Sequence, residues 1–477
     1  MKIIIIGGSH AGISCALRAR EEYPESEIII FETQKEVGFI SQSIPLYLSG
    51  ATDFLKMSSY TTALELEKRG IDVHTQMSVT AVSLAKKEIT YVDLLSQDEH
   101  LVGFDKLILA TGSYPVLPMV KGDFQDKLFV IKKFEDAIKI KKFMNESRSV
   151  IIIGGGAIGV ELAELMNQAR FRTTLLHSSD YILNRYLDEY VAIDTQKSLE
   201  ERGVALYTHS IVTDIFEEEI QTGKKTKKIS RVVTQDGREF TAEGIIYATG
   251  FRPNTALVAN QVLRGDKGAI LVDEYMQTSH PDVFAVGDCS TTIMTHVATP
   301  RYVPHASDAI RQGEVAAVNL LAPKVKLNKS QGTYKLNFDQ DIALCMTGLS
   351  FRKAKQEGFD CEVVYVEDRY ANSDQYYQLW LVYEKGTHKI LGLQSKGTAP
   401  EIPAHADIIS LAIQNDMTIE EVEFTDFYYK HGFKNPKSFT NIIADKIRRQ
   451  EKSVTCSNPL DNNQPLNNAP DSSKTQK

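Results

Sequence analysis

Two segments of the chain repeat the same order of apolar and polar positions. Residues 2–6 form an apolar run, followed by a glycine-rich turn, a helix-compatible stretch to about residue 22, and a second apolar run at residues 27–31. The same order begins again at residues 149–153, and its second apolar run is at residues 173–176. A continuous apolar strand, a turn, a helix and another strand make the unit that builds a buried parallel sheet. The pattern therefore predicts two α/β halves, each with a parallel sheet.

The pattern changes toward the C-terminus. Short apolar runs predict strands, and amphipathic stretches after them predict helices, at residues 361–366, 377–383 and 389–393 and at residues 404–414 and 419–422. This order predicts a C-terminal α+β domain. Further upstream, the polar, lysine-rich residues 221–228 are predicted to be a hairpin loop between two strands.

Composition and charge narrow the class of protein. The 477 residues are 42% hydrophobic and 24% charged, as is typical of a water-soluble globular protein, and the net charge of -8 gives no basic face for nucleic acid. No apolar run reaches the roughly 18–20 residues that span a bilayer. The five cysteines are scattered, without the close spacing of a redox disulfide or a metal site. We therefore expect a cytoplasmic protein without a bound metal.

The first glycine turn has the features of a pyrophosphate-binding loop. Gly7 permits the tight turn, Gly12 permits close packing of the helix on the strand, and the helix N-terminus offers backbone N–H groups. Ser9 occupies the position of the usual middle glycine. Glu32 follows about 20 residues later, at the end of the second strand, where it is placed to bind a ribose hydroxyl.

The second glycine turn has all three glycines of the pattern: Gly154, Gly156 and Gly159. The position that matches Glu32 holds His177, followed by Ser178 and Ser179. An acid there accepts hydrogen bonds from the 2′-hydroxyl of NADH and repels the 2′-phosphate of NADPH. Histidine and serine are donors, although Asp180 is close by, so the sequence leaves both nucleotides open.

Three later phrases each end an apolar strand in a small, tight turn: residues 109–115, 247–254 and 283–288. In the last of them, Asp288 follows a glycine, which would let the backbone approach a ligand beside the carboxylate. One glycine turn alone is weak evidence for a nucleotide. Two such turns, each directly between a strand and a helix, predict two separate dinucleotide sites.

The two glycine turns and the three later phrases, in their order along the chain, resemble the motifs of the pyridine nucleotide-disulfide oxidoreductase superfamily of flavoproteins. The similarity is greatest to the branch of NADH oxidases, NADH peroxidases and coenzyme A-disulfide reductases, and it extends from residue 1 to about residue 448. The phrases that carry it are residues 9–12, 39–41, 45–48, 273–279 and 426–431. The resemblance implies a homodimeric enzyme that takes a hydride from NADH or NADPH onto FAD.

The resemblance also implies which residues hold the two nucleotides. FAD would be held by Gly7, Gly8, Ser9, His10, Ala11, Gly12, Glu32, Val79, Ala110, Thr111, Gly112, Ser113, Lys132, Asp288, His305, Ala306 and Ser307. The nicotinamide nucleotide would be held by Ile153, Gly154, Gly156, Ile158, Gly159, Glu161, His177, Ser178 and Gly250.

The same resemblance implies two interleaved Rossmann-like domains and a dimerisation domain. Residues 1–116 and 248–325 would form the two parts of the FAD-binding domain, and residues 117–247 the NAD(P)-binding domain. Residues 332–449 would form the α+β dimerisation domain. The polar residues 450–477 are predicted to be a disordered tail.

One position departs from the branch. After its Phe-x-Ser phrase the branch has a redox cysteine, whereas this chain has Gln42. Glutamine forms neither a sulfenic acid nor a disulfide. We therefore expect electrons to pass from FAD to oxygen or another small acceptor without a redox cysteine, with hydrogen peroxide as the product. His10 and Gln42 are the candidate catalytic residues, although His10 fits equally well as a residue that only fills the helix start.

Three other functions remain open at this point. The protein could reduce an electron-carrier protein, as cysteine-free members such as ferredoxin reductases do. It could reduce disulfides or polysulfides through Cys289, although that residue is more readily interpreted as a small buried hydrophobe. It could also be a non-catalytic flavoprotein whose C-terminal tail binds a partner.

Overall fold

The computed structural model describes residues 1–51, 59–117, 120–122, 127–222, 225–338, 342–370, 374–428 and 436–455. The predicted disordered tail lies outside the described residues from residue 456 onward, as do residues 429–431 of the predicted dimerisation phrase. Within the described ranges, no helix combines the length and the apolar character that crossing a membrane requires.

The strands of the described chain are, in order, β1 (Lys2–Ile6), β2 (Glu27–Glu32), β3 (Asp72–Thr75), β4 (Met77–Ser83), β5 (Glu88–Asp93), β6 (Glu99–Gly103), β7 (Lys106–Leu109), β8 (Ser113–Pro115), β9 (Leu128–Val130), β10 (Ser149–Ile153), β11 (Arg172–Leu176), β12 (Ala205–Tyr207), β13 (Val212–Thr222), β14 (Lys225–Thr234), β15 (Glu239–Ala242), β16 (Ile245–Tyr247), β17 (Phe251–Pro253), β18 (Val283–Ala285), β19 (Tyr334–Phe338), β20 (Ile342–Gly348), β21 (Cys361–Arg369), β22 (Tyr376–Glu384) and β23 (Ile390–Gly397).

The α-helices of the described chain are, in order, α1 (His10–Glu22), α2 (Ile44–Ser49), α3 (Ala63–Glu67), α4 (Phe134–Glu146), α5 (Ala157–Gln168), α6 (Glu189–Glu201), α7 (Ala306–Val318), α8 (Phe351–Gln356), α9 (Ile402–Gln414), α10 (Ile419–Glu423) and α11 (Phe439–Thr455). Two short 3-10 turns matter for the site, and they are Ser41–Ser43 and Asp266–Gly268.

The first parallel sheet has the strand order β18-β7-β1-β2-β3. Its central strand β1 is buried on both faces, which is why it is a run of isoleucines. Helices α1 and α7 pack closely against each other, since a Cβ atom at Gly313 would lie only 2.3 Å from the carbonyl oxygen of Ala11. The register pairs Ile6 with Phe31, so the first glycine turn and Glu32 meet at the carboxyl edge of this sheet.

The second parallel sheet has the order β12-β11-β10-β16-β9. Ile153 pairs with Leu176 on one side and with Tyr247 on the other. The second glycine turn, His177 and the loop after β16 therefore meet at the carboxyl edge, as their counterparts do in the first sheet. Ligands bind at this edge in open α/β sheets.

The C-terminal residues form an antiparallel sheet of order β19-β20-β23-β22-β21, with α9 and α11 packed against it. Strand β23 runs to Gly397, beyond the predicted end at residue 393, because it lies between two neighbours and all of its residues are buried. Two of its polar residues have partners in the second α/β half: the amide of Gln394 bonds Asp188 at 2.6 Å, and the ammonium of Lys396 lies 2.5 Å from Asp194.

Regular structure extends into two segments that the sequence assigned elsewhere, a hairpin loop and the start of the C-terminal tail. Residues 221–228 were predicted to be a hairpin loop, but β13 and β14 continue through most of them, with Thr222 paired to Lys225. Oppositely charged pairs stabilise this extension, such as Lys228 with Glu217 at 2.6 Å. Residues 450–455 were assigned to the tail, but α11 continues to Thr455, and Glu451 on it bonds the ring of His388 at 2.8 Å.

Candidate functional site

A cavity of about 1600 Å³ lies between the carboxyl edges of the two parallel sheets and extends to the C-terminal sheet. It exceeds the roughly 300–1,000 Å³ of a pocket for one small ligand. Its walls include both glycine turns, the loops after β7 and β16, and residues of α8 and β19. No group of three or more His, Cys, Asp or Glu side chains in the described part of the chain is placed to hold a metal ion.

The first glycine turn is held in a conformation that side chains would disturb. Gly7 has φ +114°, and a Cβ atom there would lie 2.1 Å from the carbonyl oxygen of Ala110. The carboxylate of Glu32 accepts hydrogen bonds from the N–H groups of Gly8 and Gln34, both at 2.7 Å. These bonds fix an acceptor on the cavity wall beside the turn.

The second glycine turn repeats this arrangement with a different side chain. The N–H of Gly155 donates to Nδ1 of His177 at 3.1 Å, as the N–H of Gly8 donates to Glu32 in the first sheet. Burial lowers the pKa of His177, which favours the neutral ring. Because Nδ1 accepts, the proton is on Nε2, a buried atom without a hydrogen-bond partner of ordinary geometry among the described residues. The backbone of Tyr181 is still close enough to raise the pKa of the ring and so partly opposes burial.

His10 and Gln42 lie on the same cavity wall. Burial lowers the pKa of His10, and the charge of Asp288 partly opposes this shift. Both ring nitrogens are buried and have no hydrogen-bond partner of ordinary geometry among the described residues. The ring stacks on Tyr60 at 5.7 Å, a neighbour that nothing in the sequence indicated. Two unpartnered polar atoms here favour a hydrogen bond to a ligand.

Three predicted residues from separate segments form one polar cluster. The ammonium of Lys132 lies 2.9 Å from Asp288 and 2.8 Å from the hydroxyl of Ser113, which itself donates to Asp288 at 2.7 Å. Burial alone would raise the pKa of Asp288, but Lys132 and Ser113 hold it below its ordinary value. Lys132 also lies over the ring of Phe251, at 4.5 Å.

The other predicted site residues divide into two groups. Most of them line the cavity: Ser9, Ala11, Val79, Ala110, Thr111, Gly112, Gly154, Gly156, Ile158, Glu161, Ser178, Gly250, His305, Ala306 and Ser307. Gly12, Ile153 and Gly159 are not part of its wall. They lie behind it, where a Cβ atom at Gly12 would be 1.9 Å from the oxygen of Gly7, so these residues shape the turns.

Several wall residues were not found from the sequence, because no local motif marks them. The rings of Tyr186 and Tyr334 contact each other in a tilted arrangement, with centroids 5.2 Å apart, and join the second α/β half to the C-terminal sheet. Arg185, Lys267 and Lys353 also line the cavity. These residues come from segments far apart in the chain.

Two parallel sheets with a glycine turn at each carboxyl edge define a class of enzymes that bind two dinucleotides. The chain belongs to the pyridine nucleotide-disulphide oxidoreductase family, whose model matches residues 1–313, and it is therefore an oxidoreductase. It is 33% identical to an NADH oxidase of Enterococcus faecalis over 449 residues, which cover 93% of this chain and 98% of that protein. It is 31% identical to a CoA-dependent NAD(P)H sulfur oxidoreductase of Pyrococcus abyssi, covering 90% of this chain and 94% of that protein.

Among solved structures, the fold matches that of the water-forming NADH oxidase from Lactobacillus brevis bound to NADH. The TM-score is 0.89 at 29% sequence identity, over 96% of this chain and all of that chain (100%). This match confirms the predicted fold class of two Rossmann-like sheets with a C-terminal antiparallel domain.

Proposed function

We propose that the protein is an FAD-dependent NAD(P)H oxidoreductase that passes electrons to oxygen or another small acceptor without a redox cysteine, forming hydrogen peroxide. The observation that carries this proposal is the place of Gln42, on the cavity wall that also holds His10. Among the described residues, no cysteine lines this cavity. No contact among the described residues specifically favours the two alternatives, a reductase of a carrier protein and a non-catalytic flavoprotein.

The first half of the cavity fits FAD. Gly112 has φ +69°, and a Cβ atom there would meet nothing within 4 Å, so the backbone is open to a ligand. When bound, FAD supplies the group that accepts the hydride and passes electrons on. The first glycine turn and the N-terminus of α1 would bind its pyrophosphate, and Glu32 would accept a hydrogen bond from its ribose. The Lys132–Ser113–Asp288 cluster and the unpartnered ring of His10 would hold the flavin end.

The second half fits the nicotinamide nucleotide. A Cβ atom at Gly156 would meet nothing within 4 Å, which leaves the start of α5 open to a pyrophosphate. His177 offers an N–H donor where an acid would reject a 2′-phosphate, so we propose that both NADH and NADPH are used. In support, the Lactobacillus brevis oxidase is bound to NADH, and its engineered form, equally similar to this chain, is bound to NADPH.

The absence of an accessible thiol among the residues that the structure describes supports hydrogen peroxide as the product. Cys15, Cys289, Cys345 and Cys361 are free and buried, and burial raises the pKa of each thiol. The thiol of Cys289 donates to the carbonyl oxygen of Leu109 at 3.1 Å. Because thiolates are the reactive form, these cysteines are poor redox groups, which also weakens the disulfide- or polysulfide-reductase alternative.

Other expectations stay predictions. The homodimer has indirect support from two exposed aromatic side chains of the C-terminal region, Phe424 at 82% and Tyr428 at 79% exposure. The domain boundaries and the cytoplasmic location have no further support.

Anaerobic titration of the purified yellow protein with NADH and with NADPH tests the proposal. We expect two electron equivalents to reduce the protein completely, since FAD is the only redox group that the proposal includes. Admitting oxygen should then release one hydrogen peroxide for each nucleotide oxidised, measured with a peroxide-specific dye. A requirement for four electron equivalents, or full reduction of oxygen to water, would contradict the proposal.

A second prediction concerns Glu161, whose carboxyl group lines the cavity without a hydrogen bond or ion pair to any described residue. Burial raises its pKa to about 7. A bound nucleotide would exclude more water and raise this pKa further, so binding above pH 7 requires uptake of a proton. We expect nucleotide affinity to be constant below pH 7 and to fall above it, by up to about tenfold per pH unit.

The matched variants are Glu161→Gln, which mimics the protonated acid, and Glu135→Gln, which removes an exposed acid from the same cavity wall. The first should bind the nucleotide with little pH dependence, and the second should keep the wild-type profile. The dissociation constant is measured by spectral titration on both sides of pH 7. An unchanged profile in Glu161→Gln would exclude this carboxyl group as the titrating group.

A further inference from the structure

Three cations from three separate parts of the chain line the same cavity: Arg185 in the loop after β11, Lys267 in the 3-10 turn Asp266–Gly268, and Lys353 in α8. We call these three residues the basic rim, since two of them are exposed and the third is half-buried. None of the three forms an ion pair with another residue that the structure describes. The amino group of Lys267 lies over the ring of Tyr302, at 5.4 Å.

The members of the basic rim are close enough to repel one another. Burial lowers the pKa of Lys353, and the charges of Arg352, Arg185 and Lys267 lower it further. Burial and Arg185 likewise lower the pKa of Lys267. Nη1 of Arg185 lies 3.9 Å from the position that a Cβ atom would take at Gly250, which places the guanidinium on the loop after β16. A bound anion would relieve this repulsion.

The acids nearby offset the charge of the basic rim only in part. Burial and neighbouring cations keep the pKa values of Lys353 and Lys267 below their ordinary range, although Asp188 raises the first and Asp266 the second. Asp188 accepts hydrogen bonds from the backbone N–H of Phe351 at 2.8 Å and from the amide of Gln394 at 2.6 Å. Asp266 accepts one from the backbone N–H of Tyr302 at 3.0 Å. The positive charge therefore stays available to a ligand inside the cavity.

We propose that the basic rim binds a phosphate group other than the pyrophosphate at the second glycine turn. A guanidinium and two ammonium groups that line one cavity and repel one another suit a compact anion with several charged oxygens. That phosphate is either the 2′-phosphate of NADPH or a phosphate carried by the electron acceptor. The inference rests on the proposed function only in placing a nicotinamide nucleotide in this cavity.

Isothermal titration of the FAD-loaded enzyme with inorganic pyrophosphate tests the site without requiring turnover. The test variant combines Arg185→Gln with Lys353→Gln. The control is Lys355→Gln, since Lys355 is on the same helix but outside the cavity wall, paired with Asp360 at 3.3 Å. We expect the pyrophosphate affinity to fall about tenfold or more in the double variant, since two charge-assisted contacts are lost, and to stay unchanged in the control. Equal affinity in the wild type and the double variant would overturn the proposal.

The same proteins distinguish the two sources of the phosphate. A loss of affinity for NADPH with NADH binding retained would assign the rim to the 2′-phosphate. Retained binding of both nucleotides, with loss of pyrophosphate binding, would assign it to the acceptor. Equal loss of both nucleotides with pyrophosphate binding intact would overturn the proposal. If neither nucleotide reduces the wild-type protein, the proposed function fails, while the pyrophosphate titration still decides whether the rim binds phosphate.

Discussion

Gly154→Ala is expected to destabilise the protein by about 3 kcal/mol or more, whereas Gly156→Ala, two residues away, should leave its stability almost unchanged. Gly154 has φ +118°, and a Cβ atom there would lie 2.4 Å from the carbonyl oxygen of Ala248. The unfavourable backbone conformation costs about 1–3 kcal/mol and the overpacking about as much again. A Cβ atom at Gly156 meets nothing within 4 Å, so the fold accepts it.

When nucleotide binding is measured on folded protein, Gly156→Ala should have the larger effect of the two variants. The space beside Gly156 is where we place the pyrophosphate, so the added methyl group of Gly156→Ala should weaken NAD(P)H binding about tenfold or more. Thermal unfolding gives the stability, and anaerobic spectral titration gives the dissociation constant. A Gly156→Ala protein with wild-type affinity would show that the pyrophosphate does not bind at this turn. A Gly154→Ala protein of wild-type stability would show that the turn tolerates a side chain at this position, contrary to our expectation.

The parts of the fold that local sequence determines were predicted well. The bounds of β1 and the end of α1 agree with the structure, because a continuous apolar run, a glycine turn and a helix are all encoded within about twenty residues of chain. The predicted end of β23 at residue 393 was too early. Its last residues include Lys396, whose buried ammonium is acceptable only because Asp194, far away in sequence, lies beside it. Periodicity cannot predict a partner of that kind.

In the candidate site, too, the features that local sequence determines were predicted and those that depend on distant segments were not. The sequence indicated that His177 replaces the acid of the first sheet, but not that its ring accepts the same backbone hydrogen bond as Glu32. That bond depends on the register of two strands. Tyr334 and Lys353 line the cavity, and Tyr60 stacks on His10 in its wall. They come from a strand, a helix and a loop whose local sequence carries no nucleotide motif. Only packing of separate segments brings such residues together.

Gln42→Cys is expected to change the product of oxygen reduction from hydrogen peroxide to water. Residue 42 lies in the 3-10 turn Ser41–Ser43, exposed on the cavity wall that also holds His10. A thiolate there can attack hydrogen peroxide, which breaks the O–O bond, forms a sulfenic acid and releases water. A second NAD(P)H then supplies the two electrons that restore the thiolate. The yield of hydrogen peroxide per nucleotide should therefore fall several-fold.

Gln42→Ser is the matched control, because it has nearly the shape of the cysteine variant but no redox chemistry. It should still release one hydrogen peroxide per nucleotide, as we expect of the wild type. Anaerobic titration provides an independent measurement. Once its thiol has been oxidised, the cysteine variant should accept two more electrons than the wild type before it is fully reduced. Alkylation of the new thiol should return the product to hydrogen peroxide, because the four other described cysteines are buried and protected from the reagent. If Gln42→Cys and Gln42→Ser release equal amounts of peroxide, residue 42 does not face the reacting oxygen, and the product is set elsewhere in the cavity.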